Sequence, residues 1–302
     1  MKYSQLIVFL FFMAASCMPE EEPPLVQLSK DLSEIITDSQ GTYAVAFADL
    51  KTGDTLFING HESFHAASTM KVPVMIELYK QAQEAKFSLD DSILVKTEFV
   101  SIVDGSLYTM DVDEDSETIL YEKVDSMLPI RELMYHMITK SSNLATNILI
   151  ELVDAKKVTA TMRDLGAPDI EVLRGVEDLK AFDSGLSNST TAYDLMKILE
   201  AIGMEKIINE EACGEMMNVM FDQQFNKIIP SQLPSEVKVA HKTGSITGVQ
   251  HDAGIIVLPT GHKYVLVLLS KELEDKDKGV ETLSLISKKV YDFVVADKDQ
   301  MR

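Results

Sequence analysis

The stretch VAHKTGSITGVQHDAGIIVLP, residues 239–259, decides how this chain folds. EVKVAHKTG and VQHDAGIIVLP are short runs rich in β-branched residues, and KYVLVLLS at 263–270 is a third. Runs of this kind with short links read as successive antiparallel strands. The tripeptide Lys242-Thr243-Gly244 has a twin, Lys51-Thr52-Gly53, in ADLKTGDTLFI. The twin separates TYAVAFADL from DTLFING, so it reads as the turn of a hairpin. Further out, LVQLSKDLSEIITDSQG (25–41) has apolar residues at helical spacing, with Gly41 expected as C-cap, and GVETLSLISKKVYDFVVA (279–296) is a last helix.

From Ser68 to about Met220 the apolar spacing is mainly helical, as in STMKVPVMIELYKQAQEA, IRELMYHMITKSSNLATNILIELV, KVTATMRDLG and TTAYDLMKILEAI. SIVDGSLYTMDVDEDSETILYEKVD (101–125) interrupts it and reads as an irregular, acidic surface excursion. The order predicts an α/β fold. An antiparallel five-stranded sheet is flanked by the N- and C-terminal helices, and a helical subdomain, about 68–220, is inserted against its other face. The interface between insertion and sheet is a natural cleft.

With 302 residues, 46% hydrophobic and 25% charged, the chain has the composition of a globular protein large enough to bury a full core. A net charge of −20 argues against a nucleic-acid partner. The first residues, MKYSQLIVFLFFMAASC, combine a basic start, an apolar run too short to span a bilayer, and small residues ahead of Cys17. They read as a signal peptide over 1–16. The small residues before Cys17 resemble a bacterial lipoprotein processing site, although Ala14 stands where Leu is more usual. Residues 17–24 then form a lipidated tether and 25–302 the folded domain, exported to the periplasm, anchored to a membrane through lipid and expected as a monomer. Cys213, the other cysteine, lies in the helical EEACGEMMNVM and reads as a small core residue. No HExxH pair occurs and two cysteines make no Cys-rich zinc site, so neither metal nor cofactor is expected.

Three short motifs carry chemistry. In HAASTMKVPVMIELY, Ser68 and Lys71 are three apart and share a face if Ser68 opens a helix. A lysine of lowered pKa can take a serine's proton, and the helix mouth offers N–H groups to an oxyanion. The pattern is cheap: Ser235 and Lys238 repeat it at the start of a strand. In ITKSSNLATNILI, Ser141 can cap a helix, or with Asn143 present a hydroxyl and an amide. In the second KTG, Lys242 supplies charge, Thr243 a hydroxyl, and Gly244 close backbone approach, while the N–H of Ser245 can pair with that of Ser68 as an oxyanion hole.

Taken in order, at separations of 73 and 101 residues, S-x-x-K, S-x-N and K-T-G resemble the penicillin-recognising serine hydrolases of the class A β-lactamase type. The resemblance extends from Leu25 to the C-terminus. It implies Ser68 as acylated nucleophile, Lys71 as its proton partner, Ser141 as proton shuttle to the leaving nitrogen and Asn143 as a substrate contact. Lys242 and Thr243 would bind the substrate carboxylate, and Tyr108 would be the aromatic gate at the cleft mouth. Two departures stand out. Ser142 replaces the Asp usual in the middle motif. Glu177, in LRGVEDLKAFDSGL, takes the place of the deacylating carboxylate but lacks the Leu-Asn pair of E-x-x-L-N. Hydrolysis of a β-lactam amide is the expected activity. A D-Ala-D-Ala carboxypeptidase acting on cell-wall peptide, an esterase, or a sensor that stays acylated are the alternatives that the Glu177 neighbourhood keeps open.

Overall fold

The computed structural model describes residues 22–300, with side chains to 296. The expected signal peptide and Cys17 lie outside the described residues. In chain order the elements are α1 (Pro24–Thr37), β1 (Thr42–Asp49), β2 (Thr55–Ile58), β3 (Phe64–His65), α2 (Lys71–Gln83), β4 (Ser92–Leu94), β5 (Glu98–Val100) and β6 (Leu107–Thr109). Then come β7 (Met127–Pro129), α3 (Ile130–Thr139), α4 (Asn143–Val153), α5 (Ala155–Asp164), α6 (Leu179–Asp183), β8 (Ser189–Thr190), α7 (Ala192–Gly203) and α8 (Glu210–Phe221). The chain closes with β9 (Lys238–Ile246), β10 (Val249–Val257), β11 (Lys263–Lys271) and α9 (Lys276–Gln300).

The five long strands form one antiparallel sheet in the order β2-β1-β11-β10-β9, as the hairpin reading predicts. Period-2 alternation gives each face its own partner. In β1, Tyr43, Val45 and Phe47 pack with Leu28 and Leu32 of α1 and with Leu283, Ile286, Val290 and Val294 of α9. The other face offers small residues, Ala44, Ala46, Ala48, Ala240 and Ala253, to the helical block. Small side chains let that block come close: a Cβ on Gly203 in α7 would lie 2.6 Å from Leu50 and 3.4 Å from Ile255. At the centre of the block, α2 buries residues on all sides, from Lys71 and Val72 to Tyr79 and Gln81, which is why no single apolar stripe marks it.

Several readings need correction. Gly41 does not cap α1, which ends at Thr37 with Asp38 as C-cap. It turns the chain into β1 at φ +103°, packed so closely on Leu273 and the carbonyl of Lys271 that a side chain would collide. The helical block also carries three two-stranded ribbons, β3–β8, β4–β7 and β5–β6, whose two or three residues are too few to show periodicity. The excursion at 101–125 is anchored rather than free, since Ser101, Met110, Glu117 and Leu120 are buried. Among the described residues no helix is long and apolar enough to cross a membrane.

Candidate active site

The site lies where the mouth of α2, the start of α4 and the edge strand β9 meet. Ser68 sits in a 3-10 turn, Ala67–Met70, that runs directly into α2. The N–H of Lys71 donates to the carbonyl of Ser68, and this 3-10 geometry stacks side chains three residues apart on one line. Ala67 enters the turn at φ +45°, a left-handed conformation costly for a residue with a Cβ. β9 has no sheet partner on its outer side. Gly244 meets the turn there: a Cβ on it would lie 3.1 Å from the Cβ of Ala67 and 3.2 Å from the nitrogen of Ser68. Only glycine allows so close an approach without displacement.

Lys71 is fully buried, and its ammonium donates to Ser141 O (2.7 Å), Ser141 Oγ (3.2 Å) and Asn143 Oδ1 (3.0 Å). Lys242, equally buried, donates to the same Ser141 Oγ (3.0 Å) and to Thr243 O (2.9 Å). Burial lowers the pKa of Lys71 to about 7, against the opposing pull of Asp115 and Glu177. Burial and the charge of Lys71 also lower Lys242, well below the ordinary lysine range, with Asp252 in opposition. Ser141 holds φ +59°, which aims both its carbonyl and its hydroxyl at the lysines.

Glu177 comes to the same cluster from the opposite wall. Its Oε1 accepts from Asn143 Nδ2 at 3.0 Å, so one amide bridges Glu177 and Lys71. Burial, aided by Asp115 and Glu114, raises the pKa of Glu177 to about 7, against its hydrogen bond from Asn143 and the charge of Lys71. It too has positive φ, +64°. Lys180 and Ala181 stand where the Leu-Asn pair of E-x-x-L-N would be: Lys180 turns away to pair with Asp104 at 2.8 Å, and Ala181 is buried with no polar side chain to offer.

Several supporting residues had not been singled out in the sequence. Asn147, one helical turn beyond Asn143, accepts the N–H of Val176 at Oδ1 (2.6 Å) and donates to its carbonyl from Nδ2 (3.0 Å). It grips the peptide next to Glu177, and its i,i+4 spacing from Asn143 was the available signal. His251 braces the nucleophile turn from below. Its Nδ1 accepts the N–H of Ser270 (3.1 Å) and its Nε2 donates to the carbonyl of His65 (2.9 Å); burial lowers its pKa to about 4, which keeps the ring neutral. Asp115 accepts the N–H groups of Asn143 (2.9 Å) and Leu144 (2.8 Å) at the mouth of α4.

Tyr108 stands apart from the gate position expected for it. Its hydroxyl donates to Val176 O (3.3 Å) and accepts from Asn147 (3.3 Å), and its ring packs on Phe99, so it supports the loop before Glu177 from behind. The hydroxyl of Ser245 accepts from Gln250 (2.7 Å) on the exposed end of β9. Ser235 precedes β9 and Lys238 opens it, with the Lys238 ammonium over the ring of Phe221, away from these contacts. Cys213 is buried with its thiol on the carbonyl of Ile207. Lys51-Thr52-Gly53 is the β1–β2 turn, with Gly53 at φ +81°.

Residues 27–294 match the family described as the Beta-lactamase enzyme family. A β-lactamase of Bacteroides uniformis is 23% identical over 306 residues, covering 96% of this chain and 98% of its own. Among solved structures, the TLA-1 extended-spectrum β-lactamase superposes with a TM-score of 0.78 at 22% identity, covering 90% of this chain and all of that one. A mutant of PBP-A, in an acyl-enzyme complex with penicillin G, superposes at 0.76 with 25% identity over 90% of this chain and 98% of that one.

Proposed function

Because the chain belongs to the Beta-lactamase enzyme family, we propose that it hydrolyses the β-lactam amide through an acyl-enzyme on Ser68. The carrying observation is the buried Lys71 ammonium. It is stacked on the Ser68 turn, bonded to Ser141 and Asn143, and lowered to a pKa of about 7. A lysine near neutrality is a competent base at working pH. Neutral Lys71 takes the proton of Ser68 as its Oγ attacks the lactam carbonyl. The oxyanion is held by the N–H groups of Ser68 and Ser245. The C–N bond then breaks, and the leaving nitrogen takes a proton from Ser141, which is resupplied by Lys71. For release, Glu177 accepts a proton from water as that water attacks the ester; the Ser68 oxygen leaves, and the proton held by Glu177 is relayed through Lys71 to it, which restores both groups. Lys242 binds the substrate carboxylate together with Thr243.

A second reading has one observation in its favour. Lys180 and Ala181, at the places of the Leu-Asn pair, bring no amide to Glu177, whose carboxylate accepts from Asn143. Acylation without efficient release, as in a D-Ala-D-Ala peptidase or a sensor, fits that geometry. Intact-protein mass against time with a penicillin and a cephalosporin separates the two. A transient adduct with consumption of drug supports hydrolysis, whereas an adduct stable for hours supports the second reading. No adduct, or an adduct that survives Ser68→Ala, overturns both. We further propose export and lipid anchoring at Cys17, tested by whether Cys17→Ser releases the protein from the membrane fraction.

A further inference from the structure

The middle motif, Ser141-Ser142-Asn143, has no carboxylate of its own, yet one is present at the spot. We infer that Asp115, delivered by the acidic excursion, is a positioning residue that replaces the missing carboxylate and holds the motif against Lys71 and Glu177; this inference rests on the acyl-enzyme reading above.

The geometry is that of a clamp. Asp115 Oδ1 accepts from Asn143 N (2.9 Å), and Oδ2 from Leu144 N (2.8 Å), Ser142 Oγ (3.4 Å) and Tyr121 OH (3.3 Å). Two free N–H groups at a helix start attract an anion. Ser142 caps the helix by accepting from Ala145 N (3.2 Å) and makes neither of those bonds itself. The flanking residues grip the same segment. Ser116 Oγ lies 2.9 Å from the carbonyls of both Lys140 and Ser141, and Glu114 O accepts from Asn143 Nδ2 at 3.5 Å. Three consecutive residues of the excursion therefore secure Ser141 in its strained conformation and Asn143 in its bridging one. A side chain of Ser142 is too short to do this, and the excursion has brought a carboxylate from elsewhere.

The same carboxylate acts on the chemistry through space. The charged groups facing the cluster are Lys71 on α2, Lys242 on β9 with Asp252 behind it, Glu177 on its loop, and Glu114 and Asp115 on the excursion. Asp115 raises the pKa of both Lys71 and Glu177. Removing its charge while keeping its shape must lower both, and must move the pH dependence of turnover toward acid.

The test compares the wild type with Asp115→Asn, Ser142→Asp and the double variant, with thermal unfolding recorded for each. Glu177 is titrated by NMR in protein labelled with carboxyl-13C glutamate, its signal identified by loss in Glu177→Gln. The expected result for Asp115→Asn is a Glu177 midpoint shifted to lower pH, an acid limb of kcat shifted in the same direction, and acylation slowed about tenfold by loose Asn143. The double variant, with an aspartate restored inside the motif, is expected to recover acylation to within about threefold of the wild type. An unmoved Glu177 midpoint in folded Asp115→Asn overturns the inference. So does an unfolded Asp115→Asn that Ser142→Asp does not rescue, because the carboxylate then supports the fold at large. The titration needs no substrate, so a protein inert to β-lactams would sink the proposed activity while leaving this inference to stand or fall separately.

Discussion

Truncating Asn147 to alanine separates the two halves of the proposed reaction. Its side chain pairs with the whole peptide group of Val176, accepting at 2.6 Å and donating at 3.0 Å, and Gly175 packs directly on the amide, where even a Cβ would lie 2.3 Å from Oδ1. The alanine variant leaves that N–H without a partner inside the protein and the C=O with the Tyr108 hydroxyl alone, at 3.3 Å. At about 1–2 kcal/mol for each unmade bond, the loop holding Glu177 loses about 2–4 kcal/mol of support. Converted at 1.36 kcal/mol per decade, release of the acyl-enzyme slows by roughly 30- to 1000-fold if all of that appears as displaced Glu177. Lys71, Ser141 and Lys242 bond to one another without Asn147, so acylation of Ser68 stays within about threefold of the wild type. Rapid-quench mass spectrometry with a penicillin reads both steps, and the expected outcome is a full-stoichiometry adduct that outlives the wild-type one by the stated factor. Release at the wild-type rate in a folded variant would refute the grip on Val176 as the positioning device. Equal losses in both steps would show that the loop is not a separate unit.

Three other outcomes follow from the same geometry. Both the base Lys71 and the carboxylate Glu177 work deprotonated and both have pKa values of about 7, so kcat should rise with pH through about 7 and level off above it; a profile flat from pH 5 to 8 would contradict these environments. Gly244→Ala should cut acylation by about tenfold or more with little change in unfolding temperature, because the added methyl must push β9 from Ser68 N by a few tenths of an ångström; stopped-flow acylation rates decide it. Tyr108→Phe should slow release several-fold while leaving substrate affinity unchanged, since the hydroxyl touches Val176 and Asn147; a raised KM with normal release would restore the gate role.

The sheet was legible because TYAVAFADL and KYVLVLLS are apolar, β-rich runs and because Gly53 marks the β1–β2 turn. The order of Ser68, Lys71, Ser141, Asn143 and Lys242 was legible as motif, and the structure brings Lys71, Ser141, Asn143 and Lys242 into one network. What escaped the sequence was long-range or backbone in origin. Asp115 lies 27 residues from the Ser142 it supplements, in a stretch whose many carboxylates looked interchangeable. The role of Tyr108 depended on which way a three-residue strand turned its side chain, and β6 is too short to say. The ribbon β3–β8, which joins the Ser68 approach to the Glu177 loop, pairs Phe64 with Thr190 across most of the helical block.

Three of the ten non-glycine residues at positive φ among the described residues lie at this cleft. Ala67, Ser141 and Glu177 adopt φ of +45°, +59° and +64°, and each belongs to a different segment at the same cleft. A non-glycine residue held there costs of order 1 kcal/mol or more, and nothing in the local sequence favours it. Ser141 and Glu177 are held by bonds from outside their own segments, Ser116 and Lys71 on Ser141 and Asn143 on Glu177, while the Ala67 N–H donates locally to His65 Nδ1. The same bonds gather two buried lysines around one hydroxyl, an arrangement that mutual repulsion would disperse in water. Strain and close positive charge are thus held together where Lys71, of pKa about 7, bonds the hydroxyl of Ser141. In the proposed reaction this arrangement keeps Lys71 and the Ser141 hydroxyl in hydrogen-bond contact, as proton transfer between them requires.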